Sequence, residues 1–298
     1  MKLKAPFVYF GGKSSVADVV WRHFGNPKMY VEPFCGSAAM LLARPCDPPF
    51  NKEIINDYDG NVANFWRAMK YDPDGVADVA DWPVNHIDLM ARKRYVLKEY
   101  DAMRERLIAD PEYCDAKIAG YWAWILSVGI GAGVDLTSPN QIPSIDHCKG
   151  ILTRKNPCEY LKKLQKRIAD VKVVCGDWMQ VMGGNWRTAN GDCAVFLDPP
   201  YAPETGRRNR VYKKDELTTA PDVLNWCKDN GDNRLYKIAL CGYDGEHNDL
   251  EDMGWTVHAW KANGGYAHQG NGKTRGEENC FKERIWFSPF CNRELTLF

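Results

Sequence analysis

Read for the spacing of apolar and polar positions, the chain opens as a βαβ unit. Tyr30-Val31 is a short apolar run that ends in Glu32-Pro33-Phe34-Cys35-Gly36-Ser37-Ala38 and passes into Ala39-Met40-Leu41-Leu42, which predicts a strand, a tight small-residue turn and a helix start. Ile54-Ile55 before Asn56-Asp57 predicts a second strand with a polar end, and Val62 to Met69 resumes helical spacing. The acid closing that second strand follows the turn by roughly twenty residues, the spacing of a nucleotide-binding βαβ unit.

From 65 to 168 strand signals fade. Arg92 to Ile108, Ala116 to Val128 and Cys158 to Ile168 have helical spacing, and Gly129 to Pro143 is a loop rich in Gly, Pro, Ser and Asn. Strand-like runs return at Val171–Val174, Ala194–Leu197, Lys237–Leu240, Trp255–Trp260 and Arg284–Phe287. Such a pattern predicts an α/β sheet, built from 1–64 and 169–298, with a helical block at 65–168 inserted between its halves. Asn263 to Gly276 reads as a long loop.

Composition narrows the class. The 298 residues can bury a sizeable core as a monomer or weak dimer, and no apolar run is long enough to span a bilayer. With no apolar signal core behind Met1-Lys2-Leu3-Lys4, a soluble cytoplasmic protein of a bacterial or phage-infected cell is expected. The 11 cysteines include no Cys-x-x-Cys pair and the 6 histidines do not cluster with them, so reduced thiols and no metal are expected. A net charge of zero excludes a uniformly basic nucleic-acid binder but not a local basic face. Two basic concentrations exist. One runs from Lys149 through Arg154, Lys155, Lys162, Lys163 and Lys166 to Arg167; the other is Arg207, Arg208, Arg210, Lys213 and Lys214.

Two motifs carry candidate chemistry. Phe34-Cys35-Gly36-Ser37-Ala38 is a turn where backbone can approach a ligand closely, and Asp57 is placed to accept hydrogen bonds from ribose hydroxyls. Phe196-Leu197-Asp198-Pro199-Pro200-Tyr201 is a strand stopped by an acid, two prolines and an aromatic. The prolines remove amide donors and leave carbonyls as acceptors. An amine with two N–H donors finds one acceptor in Asp198 and another in the Pro199 carbonyl, while Tyr201 offers a stacking face for a base. Asp47-Pro48-Pro49-Phe50 repeats the pattern with no strand leading in, and reads as a loop. Cys46 and Cys158 follow prolines but no core strand, and are assigned no nucleophilic role.

In order along the chain, Pro6 to Lys13, Val31 to Ala38, Ile55-Asn56-Asp57, Gly176-Asp177-Trp178 and Leu197 to Tyr201 resemble the motifs of Dam-type DNA adenine methyltransferases, the D12 class. The resemblance implies a Rossmann-like, S-adenosylmethionine-dependent methyltransferase sheet with an inserted helical target-recognition subdomain. It implies catalysis by Asp198, Pro199, Pro200 and Tyr201. Tyr9, Gly12 and Lys13 would take the methionine end of S-adenosylmethionine, Glu32, Phe34, Gly36 and Ser37 its cradle, Asp57 the ribose and Asp177 the adenine, with Asp198 beside the methyl group. Arg207, Arg208, Arg210 and Lys155 would face double-stranded DNA. The sequence departs from the family where Ala38 replaces a second glycine and Tyr9 a common tryptophan. The implied reaction is direct displacement by the N6 amine of a flipped adenine. RNA adenine or cytosine N4 as acceptor, or a binding protein on a decayed methyltransferase fold, are the competing readings; the Asp198, Tyr201, Asp57 and Lys13 present here oppose decay.

Overall fold

The apolar, β-branched runs become β1 (Met29–Glu32), β2 (Lys52–Asp57), β3 (Lys172–Cys175), β4 (Cys193–Leu197), β5 (Tyr236–Tyr243), β6 (Thr256–Ala259) and β7 (Glu283–Phe287). The computed structural model describes residues 3–9, 12–45, 52–129, 136–137, 142–144, 148–189, 191–200, 216–260 and 283–292. The strands form a mixed seven-stranded sheet in the order β3-β2-β1-β4-β5-β7-β6. Neighbours β2 and β3, β1 and β4, and β4 and β5 are parallel, whereas β7 runs antiparallel to both β5 and β6. Every residue of β1 and β4 is buried, as expected of parallel strands covered on both faces.

Ten helices accompany the sheet among the described residues: α1 (Ala17–Phe24), α2 (Ala39–Leu42), α3 (Gly60–Tyr71), α4 (Pro73–Ala80), α5 (His86–Ala109), α6 (Ala116–Val128), α7 (Pro157–Ile168), α8 (Met179–Met182), α9 (Glu216–Asn230) and α10 (Asp249–Asp252). The chain divides into two compact units. The first comprises Met1–Gly12, Cys35–Leu42 and Ile54–Val181; the second comprises Lys13–Phe34, Ala43–Glu53 and Met182–Phe298.

In the first unit the helices of 65–168 pack together with β3 through α3. Asp59 caps α3 by accepting from the Asn61 amide, and Asp115 caps α6 by accepting from that of Ile118. Their apolar faces meet in an aromatic cluster. Phe7 lies edge-on to Phe65 at 5.0 Å and to Trp122 at 4.8 Å between ring centroids, and Tyr9 joins it at 6.1 Å from Phe7.

In the second unit α1 packs on β5, where Trp21 and Phe24 enclose Tyr30 and His23 stacks on Phe287 at 3.8 Å. Lys237 donates to the Phe24 carbonyl at 2.8 Å, satisfying the end of α1. Arg44 is buried against Glu53, Nη1 to Oε1 3.0 Å, and donates through Nη2 to the Pro27 carbonyl at 2.7 Å.

Candidate active site

The turn after β1 owes its shape to residues that tolerate left-handed backbone. Gly36 has φ 44° and Ala38 φ 49°; Ala38 is the one non-glycine with positive φ among the described residues. Glycine suits the backbone at this place, and alanine meets it at a cost of order 1–2 kcal/mol. Gly36 is held on three sides. Its amide donates to Asp57 Oδ2 at 2.9 Å, its carbonyl accepts from Trp66 Nε1 at 2.9 Å, and a Cβ on it would come within 2.5 Å of the Tyr9 ring.

The ends of β2 and β3 are tied to the same turn within the first unit. The Cys35 amide donates to the Asn56 carbonyl, Asn56 Nδ2 to the Gly176 carbonyl, and the Gly176 amide to the Asp57 carbonyl, at 2.9, 3.0 and 3.1 Å. Asp57 is buried, and its Oδ1 accepts from the Asp59 amide at 2.9 Å. Burial, reinforced by the Asp59 carboxylate, pushes the Asp57 carboxyl up to about 7 against the pull of the amides it accepts from. Asp177 is exposed and accepts from the Met179 amide at 2.8 Å. Ser37 is buried and Gly12 donates to the Tyr9 carbonyl. A carboxylate closing β2 and an exposed acid after β3 are acceptors for the hydroxyls and amine of an adenosyl group, so these residues fit S-adenosylmethionine, while Gly36 shapes the turn beside them.

The second unit carries a buried ionic cluster. Lys13 Nζ lies 2.9 Å from Asp198 Oδ2 and 3.9 Å from Glu283 Oε2, with the Trp260 ring centroid at 5.9 Å. Lys13 is 4% exposed and Asp198 19%, so the carboxylate keeps an accessible side while the ammonium does not. Burial pulls the Lys13 ammonium down, but the Asp198 and Glu283 carboxylates outweigh it and hold the lysine above its ordinary value. Cys241, on β5, is pushed well up by burial and by Asp198, and stays a neutral thiol. Glu32 is buried and accepts from the Tyr30 hydroxyl at 2.9 Å. Phe34 is half-buried, Pro199 buried and Pro200 half-buried.

Of the residues singled out by sequence, the fold brings together Tyr9, Gly36 and Asp57 in one unit, and Lys13 and Asp198 in the other. Trp66 and Glu283 join them without having been singled out. Trp66 gives no signal beyond helical spacing, and Glu283 reads in sequence as the opening of a strand without chemistry. Tyr201, Arg207, Arg208 and Arg210 lie outside the described residues, as does Asp47-Pro48-Pro49-Phe50. Lys155 is exposed. Much of its surrounding basic run is engaged within the protein. Arg154 donates to the Ala5 carbonyl at 3.2 Å, Lys162 pairs with Asp74, Lys163 with Glu159, and Arg167 donates to the Leu41 carbonyl at 2.7 Å. No group of three or more metal-ligating side chains occurs among the described residues, and none of their helices is long and apolar enough to cross a membrane.

Residues 9–106 match the family described as D12 class N6 adenine-specific DNA methyltransferase. The chain is 25% identical over 220 residues to the type II methyltransferase M.MjaIII of Methanocaldococcus jannaschii, covering 68% of this chain and 71% of that protein. A DNA adenine methylase of Vibrio cholerae is 18% identical over 284 residues, 93% of this chain and 95% of the other. The DNA N-6-adenine-methyltransferase of Escherichia phage P1 is 22% identical over 205 residues, 66% of this chain but 24% of that longer protein. A mixed α/β sheet with an acid-Pro-Pro turn at a strand end, in a chain with these relatives, is that of a DNA methyltransferase. The chain is thus similar, over residues 9–106, to the D12 class of N6 adenine-specific DNA methyltransferases, and its relatives include DNA adenine methylases.

Proposed function

We propose that the protein transfers a methyl group from S-adenosylmethionine to N6 of adenine at specific sites in duplex DNA, on a base turned out of the helix. The observation that carries this reading is the Lys13–Asp198 pair at the end of β4. It orients a partly accessible carboxylate next to a proline whose carbonyl is a second acceptor.

When bound, S-adenosylmethionine would supply an electrophilic methyl carbon; the amine nitrogen would bond to it as the C–S bond breaks and S-adenosylhomocysteine leaves, the nitrogen then losing its surplus proton to solvent. The protein's part is to position and to stabilise charge. Gly36 shapes the turn, Asp57 accepts from the ribose and Asp177 from the adenine of the cofactor, with Tyr9 and Gly12 serving its methionine end; Lys13, buried against Asp198, acts on that carboxylate instead. Asp198 and the Pro199 carbonyl accept the two amine N–H donors, which favours a pyramidal, nucleophilic nitrogen and stabilises its developing positive charge. Holding two reactants at near-attack distance can remove about 7–11 kcal/mol of barrier. Tyr201 stacks on the extruded base, offsetting an unstacking cost of a few kcal/mol. The helices of 65–168 read the target sequence, and Lys155 with Arg207, Arg208 and Arg210 bind phosphates.

Modification-detecting sequencing of DNA from cells expressing the protein tests the reading. N6-methyladenine within one recurring sequence is expected, lost in Asp198→Ala and kept in Asp47→Ala. Methylation at cytosine, or undiminished methylation by the Asp198 variant, refutes it.

A further inference from the structure

The Lys13 ammonium is held from two strands. Asp198 follows the C-terminal end of β4, whereas Glu283 opens β7. Because β7 is antiparallel to β5, with Glu283 opposite Tyr243 at the end of that strand, its first residue lies at the edge where β4 and β5 finish. A carboxylate far along the chain thereby meets the same buried lysine, 3.9 Å from its Nζ.

We propose that Glu283 is a positioning residue for methyl transfer, holding Lys13 jointly with Asp198 so that the lysine fixes the Asp198 carboxylate without absorbing its whole charge. The inference rests on the reading of Asp198 as acceptor of the target amine. A single ammonium shared by two carboxylates neutralises each less completely than an exclusive partner would. With Glu283 replaced by a neutral group, Lys13 settles on Asp198 alone. The field that Asp198 exerts on the nitrogen, which gains positive charge as the N–C bond forms and the C–S bond breaks, then falls. In a buried cluster such redistribution is little screened by water. Cys241 and Glu32 also face this region: the thiol is influenced by Asp198, Lys13, Glu283 and Glu32 together.

The test measures single-turnover methylation of unmethylated bulk duplex DNA with saturating tritiated S-adenosylmethionine, alongside S-adenosylhomocysteine affinity by calorimetry. Glu283→Gln should slow turnover by about tenfold or more, the scale of losing part of a preorganised electrostatic interaction, with affinity changed less than about twofold. Glu283→Asp should recover part of the rate. In a Lys13→Gln background the same Glu283→Gln change should alter turnover less than about twofold, because a residue acting through Lys13 has nothing left to act on. Wild-type turnover in Glu283→Gln overturns the inference, as does a tenfold loss that persists without Lys13. If Glu283→Gln does not fold by near-ultraviolet circular dichroism, the neutral Glu283→Ser decides: slowed turnover at unchanged affinity supports the role, and wild-type turnover removes it. Asp198→Asn separates the two levels. Full activity there defeats the reading of Asp198 itself, whereas an inactive Asp198→Asn beside a fully active Glu283→Gln defeats only the role of Glu283.

Discussion

The Gly36 amide donates to Asp57 Oδ2 at 2.9 Å, so the small-residue turn after β1 is held in shape by the acid that closes β2. The carboxylate sought as a ribose acceptor therefore already works within the fold. A carboxylate has about four lone-pair sites, and bonds to the Gly36, Tyr58 and Asp59 amides leave capacity for one ligand hydroxyl.

Because the Asp57 carboxyl lies at about 7 in the folded protein and at 3.8 ordinarily, the folded state retains a proton between those values that the unfolded chain has released. Stability contributed by this group is greatest at the acid end of the window and declines as pH rises through about 7. On the proposed reading binding has the opposite slope, since a ribose hydroxyl would donate to the ionised form. Affinity for S-adenosylhomocysteine should rise from pH 6 to about 7.5 and then level off, with proton release visible by calorimetry in two buffers of different ionisation enthalpy. Asp57→Asn should bind more weakly by about 1.5–3 kcal/mol at pH 8 and lose the pH dependence. A pH slope that survives in Asp57→Asn assigns the proton to another group.

Ala38 is fully buried at φ 49°. Replacing it by glycine removes a methyl worth about 0.8 kcal/mol of burial but also relieves left-handed strain of order 1–2 kcal/mol. Ala38→Gly should therefore change stability by less than about 1 kcal/mol in urea denaturation. Ala63→Gly, inside α3 and equally buried, should cost clearly more, because helix propensity and burial are both lost there. Equal costs at the two positions would show that the φ of Ala38 carries no strain.

Arg44 and Glu53 form an ion pair whose side chains are 1% and 2% exposed. Glu53→Gln leaves the guanidinium buried beside a neutral amide, and removing one partner of such a pair typically costs 3–5 kcal/mol. The loss should persist in 0.5 M salt, since a buried pair is little screened. A drop below about 1 kcal/mol would mean that the carbonyl of Pro27 suffices for Arg44.

All the strands are legible in the sequence because β-branched and apolar runs such as Ala194-Val195-Phe196-Leu197 tell strand from helix without help from distant residues. Several helices are not. For α1 the sequence signal, Ser15 with Asp18 three residues on, stands one residue before the cap, which falls on Val16 and makes no side-chain bond. Pro221 inside α9 reads as a helix breaker. For α4 a local signal does exist, since Asp72 caps the helix and Pro73 occupies its first turn, but the helix is too short for apolar spacing to reinforce it. At the site, Gly36, Asp57 and Asp198 stand in local motifs. Glu283 does not, because only the antiparallel return of β7 brings the first residue of that strand to the edge where β4 ends.

Of the two basic concentrations that could meet DNA, the one at 149–167 is largely engaged internally, with Arg154 and Arg167 donating to backbone carbonyls and Lys162 and Lys163 paired with acids. On the proposed reading, phosphate binding would fall more heavily on Arg207, Arg208 and Arg210, which follow the Asp198–Tyr201 tetrapeptide closely in sequence. If they hold phosphates, neutralising all three should weaken binding to every duplex alike. The salt dependence should flatten by roughly 0.9 units of log-log slope for each phosphate no longer neutralised. Lys155→Gln, at one exposed position of the other run, should free no more than one phosphate. A residue among the three that reads a base edge would instead reduce discrimination against a one-base variant site by about 1–3 kcal/mol. Filter binding over a salt series, on the methylated sequence and on its one-base variants, distinguishes these outcomes. An unchanged slope and unchanged discrimination in the triple variant would leave the three arginines no role in holding DNA.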